Sequence, residues 1–398
     1  MKKRVEIQGM GLPEMVILIV NLIINTVSGG LDMANMNEYL CWRGDLGFDV
    51  SPLNEVDGLI LSYLSYVPWD QVVTSMWEED RIPLHTAVRC FWEENRERDY
   101  VDSVSLVKMA PFTARRMADT RRFQNIKLCY YTSSVNIQEA CQFGALCVET
   151  EPYTCVIFRG TDNSLIGWKE NLQMSYRIVP AQEKALKYLS YVGEKTSGRL
   201  IVIGHSKGGN LAAYAAAMTK REIQDRIDAV YNYDGPGFMK DFLRSEGYQR
   251  ILNRYHKLVP SDSVFGMMLG NDDHYTVIDS NGKGMQQHDP LCWRILGSSF
   301  CKLSARTDQS LATEDGVRMC VDSLTAEERE RVIDLFFSTF REEEMRSLDE
   351  VKRLFQNKRA RRSWMHMHKN IRRDPDVCKL VHGANQAFLT EFGRMFFS

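Results

Sequence analysis

Residues 200–218 constrain this chain more than any other stretch. Leu200-Ile201-Val202-Ile203 is a continuous apolar run, which reads as a strand buried on both faces. Leu211-Ala212-Ala213-Tyr214-Ala215-Ala216-Ala217-Met218 favours helix and is apolar nearly all round, so that helix is expected to be buried too. Between them stands Gly204-His205-Ser206-Lys207-Gly208. A strand that feeds straight into a helix must reverse within a few residues. The serine at the tip then takes a strained backbone conformation, and side chains at the two flanking glycines would collide with neighbouring elements. This is the pattern of a nucleophile elbow, with the Ser206 hydroxyl raised above the sheet and the N-terminal N–H groups of the helix aimed at the same spot. A glycine-rich strand–helix turn that binds phosphate, or nothing, is the bland alternative.

At 398 residues the chain can hold one large domain or two of medium size. Apolar content of 44% and charged content of 26% are ordinary for a globular protein. A net charge of −2 gives no general reason to expect nucleic acid or an anionic membrane as partner. The ten cysteines form no C-x-x-C pair and no zinc spacing with histidine. Cys129, Cys141, Cys147 and Cys155 fall in strand-like segments, where a thiol behaves as a small apolar residue. These features point to a reduced, cytoplasmic protein without structural disulfides, and a serine nucleophile of the kind the elbow offers needs no metal or organic cofactor.

Residues 1–32 stand apart. Lys2, Lys3 and Arg4 precede an apolar run, Met15 to Ile24, that is interrupted by Asn21 and too short to span a bilayer. Ser28-Gly29-Gly30-Leu31-Asp32 can be encoded by a purine-rich ribosome-binding sequence upstream of Met33, so a mis-called start is the preferred reading. A membrane-associating N-terminal helix is the alternative.

From Met33 the chain opens helically. Apolar residues at Val56, Leu59, Ile60, Tyr63, Leu64 and Val67 have helical spacing, with Asn54 as N-cap and Pro68 as stop. Residues 69–122 continue as short helices, with Arg115, Arg116, Arg121 and Arg122 read as a solvated face. Strands follow at Ile126–Thr132, Phe143–Glu149 and Tyr153–Phe158. A helical segment around Trp168–Met174 and a helix from Pro180 come next, then the elbow. Further strands are expected at Ala229–Tyr233, Tyr255–Val259 and Tyr275–Asp279. Strands alternating with helices imply a mainly parallel sheet covered on both faces, with its site at the carboxyl ends of the strands. Beyond about Arg306 the chain reads as helical and charged: Thr325 caps a helix to Phe340, and helices are expected at Leu348–Arg362 and Val377–Phe397. No chemistry is evident there, and a structural or partner-docking appendage is the preferred reading. The domains expected are an N-terminal extension over 1–32, an α/β domain over 33–305 and a helical region over 306–398.

A serine nucleophile needs a base within hydrogen-bond reach and an acid that holds the base in the right tautomer. In this kind of sheet the chain order is serine, acid, histidine. Asp262 ends a strand after the elbow and His288 follows the last strand, so these two are the preferred partners of Ser206. Asp234, one strand earlier, and Asp279 compete for the acid. His274 and His256 compete for the base, but each begins its strand and so belongs at the opposite end of a parallel sheet. The oxyanion donors expected are the backbone N–H of Lys207 and that of Thr161, in the loop after the third strand.

Phe158-Arg159-Gly160-Thr161, Trp168, Asn171-Leu172 and Gly204-His205-Ser206-Lys207-Gly208-Gly209-Asn210-Leu211-Ala212 resemble the class 3 (fungal-type) lipases. Tyr231-Asn232-Tyr233-Asp234-Gly235-Pro236-Gly237-Phe238 and Gln287-His288-Asp289-Pro290 add a resemblance to the bacterial Mbeg-like α/β-hydrolases, a domain family of unassigned function. So do Tyr39-Leu40, Trp42-Arg43-Gly44-Asp45 and Asn54-Glu55-Val56-Asp57 near the start. The resemblance covers about Met33 to Arg294. It implies an α/β-hydrolase fold with a helical N-terminal region and a helical C-terminal appendage. By similarity to the lipases, Ser206 is the nucleophile, Asp262 the acid, His288 the base, and Thr161 carries the first oxyanion donor. Lys207 stands where those lipases usually have leucine; a cation there hints at a polar or anionic substrate, although the same residue could equally serve packing. The expected activity is a serine esterase or lipase-like hydrolase that cleaves a carboxylic ester or thioester of a small molecule or lipid through an acyl-enzyme. A non-catalytic binding or scaffold protein, and an acyltransferase or peptidase on the same triad, are the alternatives. Nothing points to nucleic acid, no membrane surface is indicated, and the oligomeric state is left open.

Overall fold

In the computed structural model of the protein the described residues are 34–350, apart from 76–77, 79, 102–104, 106, 163, 270–273, 323, 342–345 and 348–349, together with residue 375. The extension over 1–32 and the helices expected at Leu348–Arg362 and Val377–Phe397 lie outside them.

Among the described residues nine strands form one sheet. In chain order they are β1 (Ile82–Pro83), β2 (Lys127–Asn136), β3 (Cys141–Glu149), β4 (Tyr153–Phe158), β5 (Arg199–His205), β6 (Ile227–Tyr233), β7 (Tyr255–Pro260) and β8 (Thr276–Ile278), with β11 (Lys302–Leu303) at the far edge. The lateral order is β1-β2-β3-β4-β5-β6-β7-β8-β11. From β4 to β8 every pairing is parallel; β1 to β4 and β8 to β11 are antiparallel. A small separate hairpin joins β9 (Ile295–Leu296) to β10 (Ser299–Phe300). Register aligns Phe158 with Gly204, His205 with Tyr233, and Tyr233 with Leu258. The carboxyl ends of β4, β5, β6 and β7 therefore share one edge, with helices following them: the mainly parallel, doubly covered sheet of an α/β-hydrolase fold.

Each face of the sheet carries a large apolar core. Alternate residues divide between the two. Cys155, Ile157, Ile201 and Ile203 face a core that holds the N-terminal helices Met36–Arg43, Glu55–Leu64, Leu84–Glu94 and Ala110–Ala118. Val156, Phe158, Leu200 and Val202 face the other, with the helices Pro180–Lys195, Lys207–Met218 and Glu246–Ile251. Every residue of the elbow helix except Met218 is buried. Its run of alanines lets the backbone lie close between the sheet and the helix Pro180–Lys195. Cys129, Cys141, Cys147 and Cys155 are buried free thiols, and burial pushes Cys141 up to about 11.

The helix Glu55–Leu64 starts at Asn54 in a reciprocal cap with Asp57. Asp57 also meets Arg122, which corrects the expected basic surface. Arg116 and Arg121 are exposed, but Arg122 is 2% exposed and grips both Asp57 oxygens, at 2.8 and 2.5 Å. Its remaining N–H groups donate to the carbonyls of Leu46, Ser51 and Pro52. One guanidinium thus ties the opening loop to the first layer of helices. At the other end of the chain, Thr325 and Glu328 form the expected capping box of the helix Ala326–Arg341. Among the described residues no helix is long and apolar enough to cross a membrane.

Candidate active site

β5 runs into the elbow helix through Ser206, whose φ of 57° and ψ of −134° lie in a region disfavoured for any residue with a Cβ. The turn is tight enough that a Cβ at Gly204 would fall on the Gly208 carbonyl, and one at Gly208 on the Phe158 carbonyl of β4. The flanking glycines are required by close approach, as their positions predict. Ser206 N–H donates to the Tyr233 carbonyl, 2.9 Å away, which seats the turn against the end of β6.

His288 lies in the loop after β8, is 6% exposed, and has its Nδ1 2.6 Å from Asp234 Oδ2. Asp234 follows β6 directly, is fully buried and has φ 52°. Its other oxygen accepts from the Ser263 hydroxyl and from Gly266 N–H. The carboxylate that meets His288 is therefore Asp234, and the expectation for Asp262 is corrected. Asp262 binds Thr307 Oγ1 and Gln287 Nε2, and its N–H donates to Gln287 Oε1 at 2.9 Å. It braces the residue before the histidine while its carboxylate is turned to the start of the helix Asp308–Asp322. The competitors are placed elsewhere. Asp279 faces Arg294. His256 stacks on Tyr231 at the beginning of β7, and His274 is exposed before β8, which runs parallel to β7.

The base loop is held at three successive residues. Gln287 receives the Trp293 indole N–H on its carbonyl, and Asp289 accepts from the Tyr63 hydroxyl at 2.7 Å. Between them, the His288 carbonyl lies 2.9 Å from His205 Nε2. Because that carbonyl can only accept, His205 carries its proton on Nε2, which leaves Nδ1 to accept from the Tyr66 hydroxyl, also at 2.9 Å. The Tyr66 hydroxyl also lies against Gly160, where a Cβ would fall on its oxygen. Burial, with the His288 ring 4.6 Å away, holds His205 well below the ordinary imidazole range, so it stays neutral. A chain of hydrogen bonds, Tyr66 to His205 to His288, thus links the elbow to the base loop, with Tyr66 packed on Gly160 in the loop after β4. Nothing in the spacing of Tyr66 announces this; only its position after the helix Glu55–Leu64 brings it there. Phe265 covers the other side of His288, ring centroids 4.2 Å apart, and Trp168 packs on Phe265.

Gly160 lies against the elbow: a Cβ there would be 3.0 Å from Ser206 Cβ and 2.6 Å from the His205 carbonyl. Thr161 follows at once, and its Oγ1 accepts from Asn171 Nδ2 at 2.7 Å. Lys207, the first residue of the elbow helix, sends its side chain the other way. Its ammonium is fully buried and donates to the Gln142 carbonyl (2.6 Å), Gln142 Oε1 (2.5 Å) and Glu170 Oε2 (2.9 Å). It presents no charge to a ligand beside Ser206, so the hint of a polar or anionic substrate loses its basis and the packing alternative holds. Among the described residues no cluster of histidine, cysteine and acidic side chains could hold a metal ion.

Comparison with known proteins finds a family model described as Mbeg1-like that matches residues 117–338, just over half of the chain. Among solved structures, the crystal structure of M37 lipase is similar at 15% identity with a TM-score of 0.33, over 53% of this chain and 67% of that one. No curated protein matches.

Proposed function

The chain belongs to the Mbeg1-like family, and on that premise we propose that it is a serine hydrolase that cleaves a carboxylic ester or thioester, with Ser206 as nucleophile, His288 as general base and Asp234 as the acid that orients it. Ser206 Oγ attacks the carbonyl carbon as its proton passes to His288 Nε2. The negative charge that develops on the carbonyl oxygen is met by the backbone N–H of Thr161, in the loop after β4, and by that of Lys207, at the N-terminus of the elbow helix. Collapse expels the alcohol or thiol, which takes the proton from His288. Water then repeats the sequence on the acyl-enzyme. Asp234 keeps the His288 proton on Nδ1 and stabilises the imidazolium that forms.

The observation that carries this reading is the buried 2.6 Å contact between Asp234 and His288, in a loop bonded to the residue that precedes a strained serine. An acid, an imidazole and a hydroxyl carried by loops that follow strands of one parallel sheet are the parts that acyl transfer requires. The test is labelling with a fluorophosphonate probe. Labelling of the protein that disappears in Ser206→Ala, together with hydrolysis of short p-nitrophenyl esters, supports the hydrolase. Folded protein that neither labels nor hydrolyses supports a scaffold instead.

A further inference from the structure

Glu170 and Lys207 form an ion pair in which neither side chain has any exposure. Such a pair is no better for stability than well-packed apolar residues of the same volume, so stability alone is a weak reason for it. Its position suggests another. Glu170 Oε2 receives the Lys207 ammonium and the Gln142 N–H, while Oε1 receives the Ala181 N–H. The next residue, Asn171, holds Thr161 Oγ1. Gln142, which shares the ammonium, also reaches the Gly160 carbonyl at 3.4 Å. Two consecutive residues of the helix Leu165–Gln173 therefore grip both residues whose backbone N–H groups face the reacting carbonyl in the proposed mechanism. That helix is pinned in turn from its outer side, by Asp334 on Lys169 and by the Arg346 carbonyl on Leu165 N–H.

We propose that Glu170 is a positioning residue that sets the spacing of the two oxyanion donors, acting on Lys207 through the ion pair and on Thr161 through Asn171. The proposal rests on the assignment of Ser206 as nucleophile. Donors of this kind act only when held at hydrogen-bond distance from the oxygen as it becomes charged, and a misplacement of about 1 Å can cost on the order of 100-fold in rate.

The test compares wild type, Glu170→Gln combined with Lys207→Met, and Asn171→Ala. It measures kcat and KM on p-nitrophenyl butyrate, the rate of fluorophosphonate labelling, and Tm. The double variant removes both buried charges together and keeps the volume, so it is expected to fold. Its kcat and labelling rate should fall roughly 10- to 100-fold with KM within about twofold, the signature of contacts made only in the transition state. Asn171→Ala, which leaves the ion pair intact, should change kcat in the same direction. Adding it to the double variant should cost less than the product of the separate losses, because both act on the same pair of donors. A folded double variant with wild-type kcat overturns the proposal. If the double variant does not fold, wild-type kcat in Asn171→Ala overturns it. A wild type that neither labels nor hydrolyses overturns the hydrolase reading and takes this proposal with it, whereas active wild type with unaffected variants sinks the positioning role alone.

Discussion

His288 Nδ1 and Asp234 Oδ2 are 2.6 Å apart, although 54 residues separate them in the chain. The contact joins the loop after β8 to the residue after β6, and leaves out Asp262, which follows β7, the strand between. In the proposed mechanism, removing the charge but not the shape of this acid leaves His288 in the wrong tautomer. Asp234→Asn should therefore lower kcat by about ten-thousand-fold on a p-nitrophenyl ester. Asp262→Asn should lower it by less than about tenfold, because it disturbs only the brace on Gln287. Steady-state kinetics on the two variants decides between the carboxylates.

Ser206 is held at φ 57°, where glycine carries no penalty. Ser206→Gly should abolish ester hydrolysis and yet raise stability by about 1 kcal/mol, read from the denaturant midpoint. A destabilised glycine variant would mean that the turn is not strained.

His205 is the titrating group with the clearest linkage to folding. Burial lowers its folded pKa well below 6.5, so between that pKa and 6.5 the unfolded chain binds a proton that the folded chain does not. Its contribution is fully present above pH 6.5 and is lost as pH falls below it, at up to about 1.4 kcal/mol per pH unit. Wild type should lose stability between pH 6.5 and 5. His205→Gln, which keeps a donor toward the His288 carbonyl but does not titrate, should show a shallower loss in urea melts over the same range.

Arg122 and Asp57 are both unexposed and paired. Arg122→Met should destabilise by roughly 3–5 kcal/mol, since it leaves a buried carboxylate and three loop carbonyls without their donor. Arg116→Ala and Arg121→Ala, on the exposed side of the same run, should stay within about 0.5 kcal/mol of wild type. Urea denaturation of the three variants gives the comparison.

Much of the architecture was readable from local pattern. The apolar run of β5, the alanines of the elbow helix, Asn54 and Thr325 as caps, and the need for Gly204 and Gly208 all depend on residues a few positions apart. The turn at Ser206 and the place of His288 in the loop after β8 are legible in the same way.

What the chain could not disclose by itself was the direction of each side chain across the sheet edge. β6 and β7 both end in an aspartate at the same edge; which one meets His288 depends on the left-handed backbone at Asp234 and on Thr307 drawing Asp262 away. Lys207 adjoins the serine in sequence, yet its ammonium is claimed by Glu170, 37 residues earlier, and Arg122 leaves its basic neighbours for an acid 65 residues away. Local sequence determined the elements and the turn, because strand, helix and cap are short-range matters of periodicity and hydrogen bonding. Only the tertiary structure decided which charges meet, because a buried charge takes whichever partner the packed layers bring within reach.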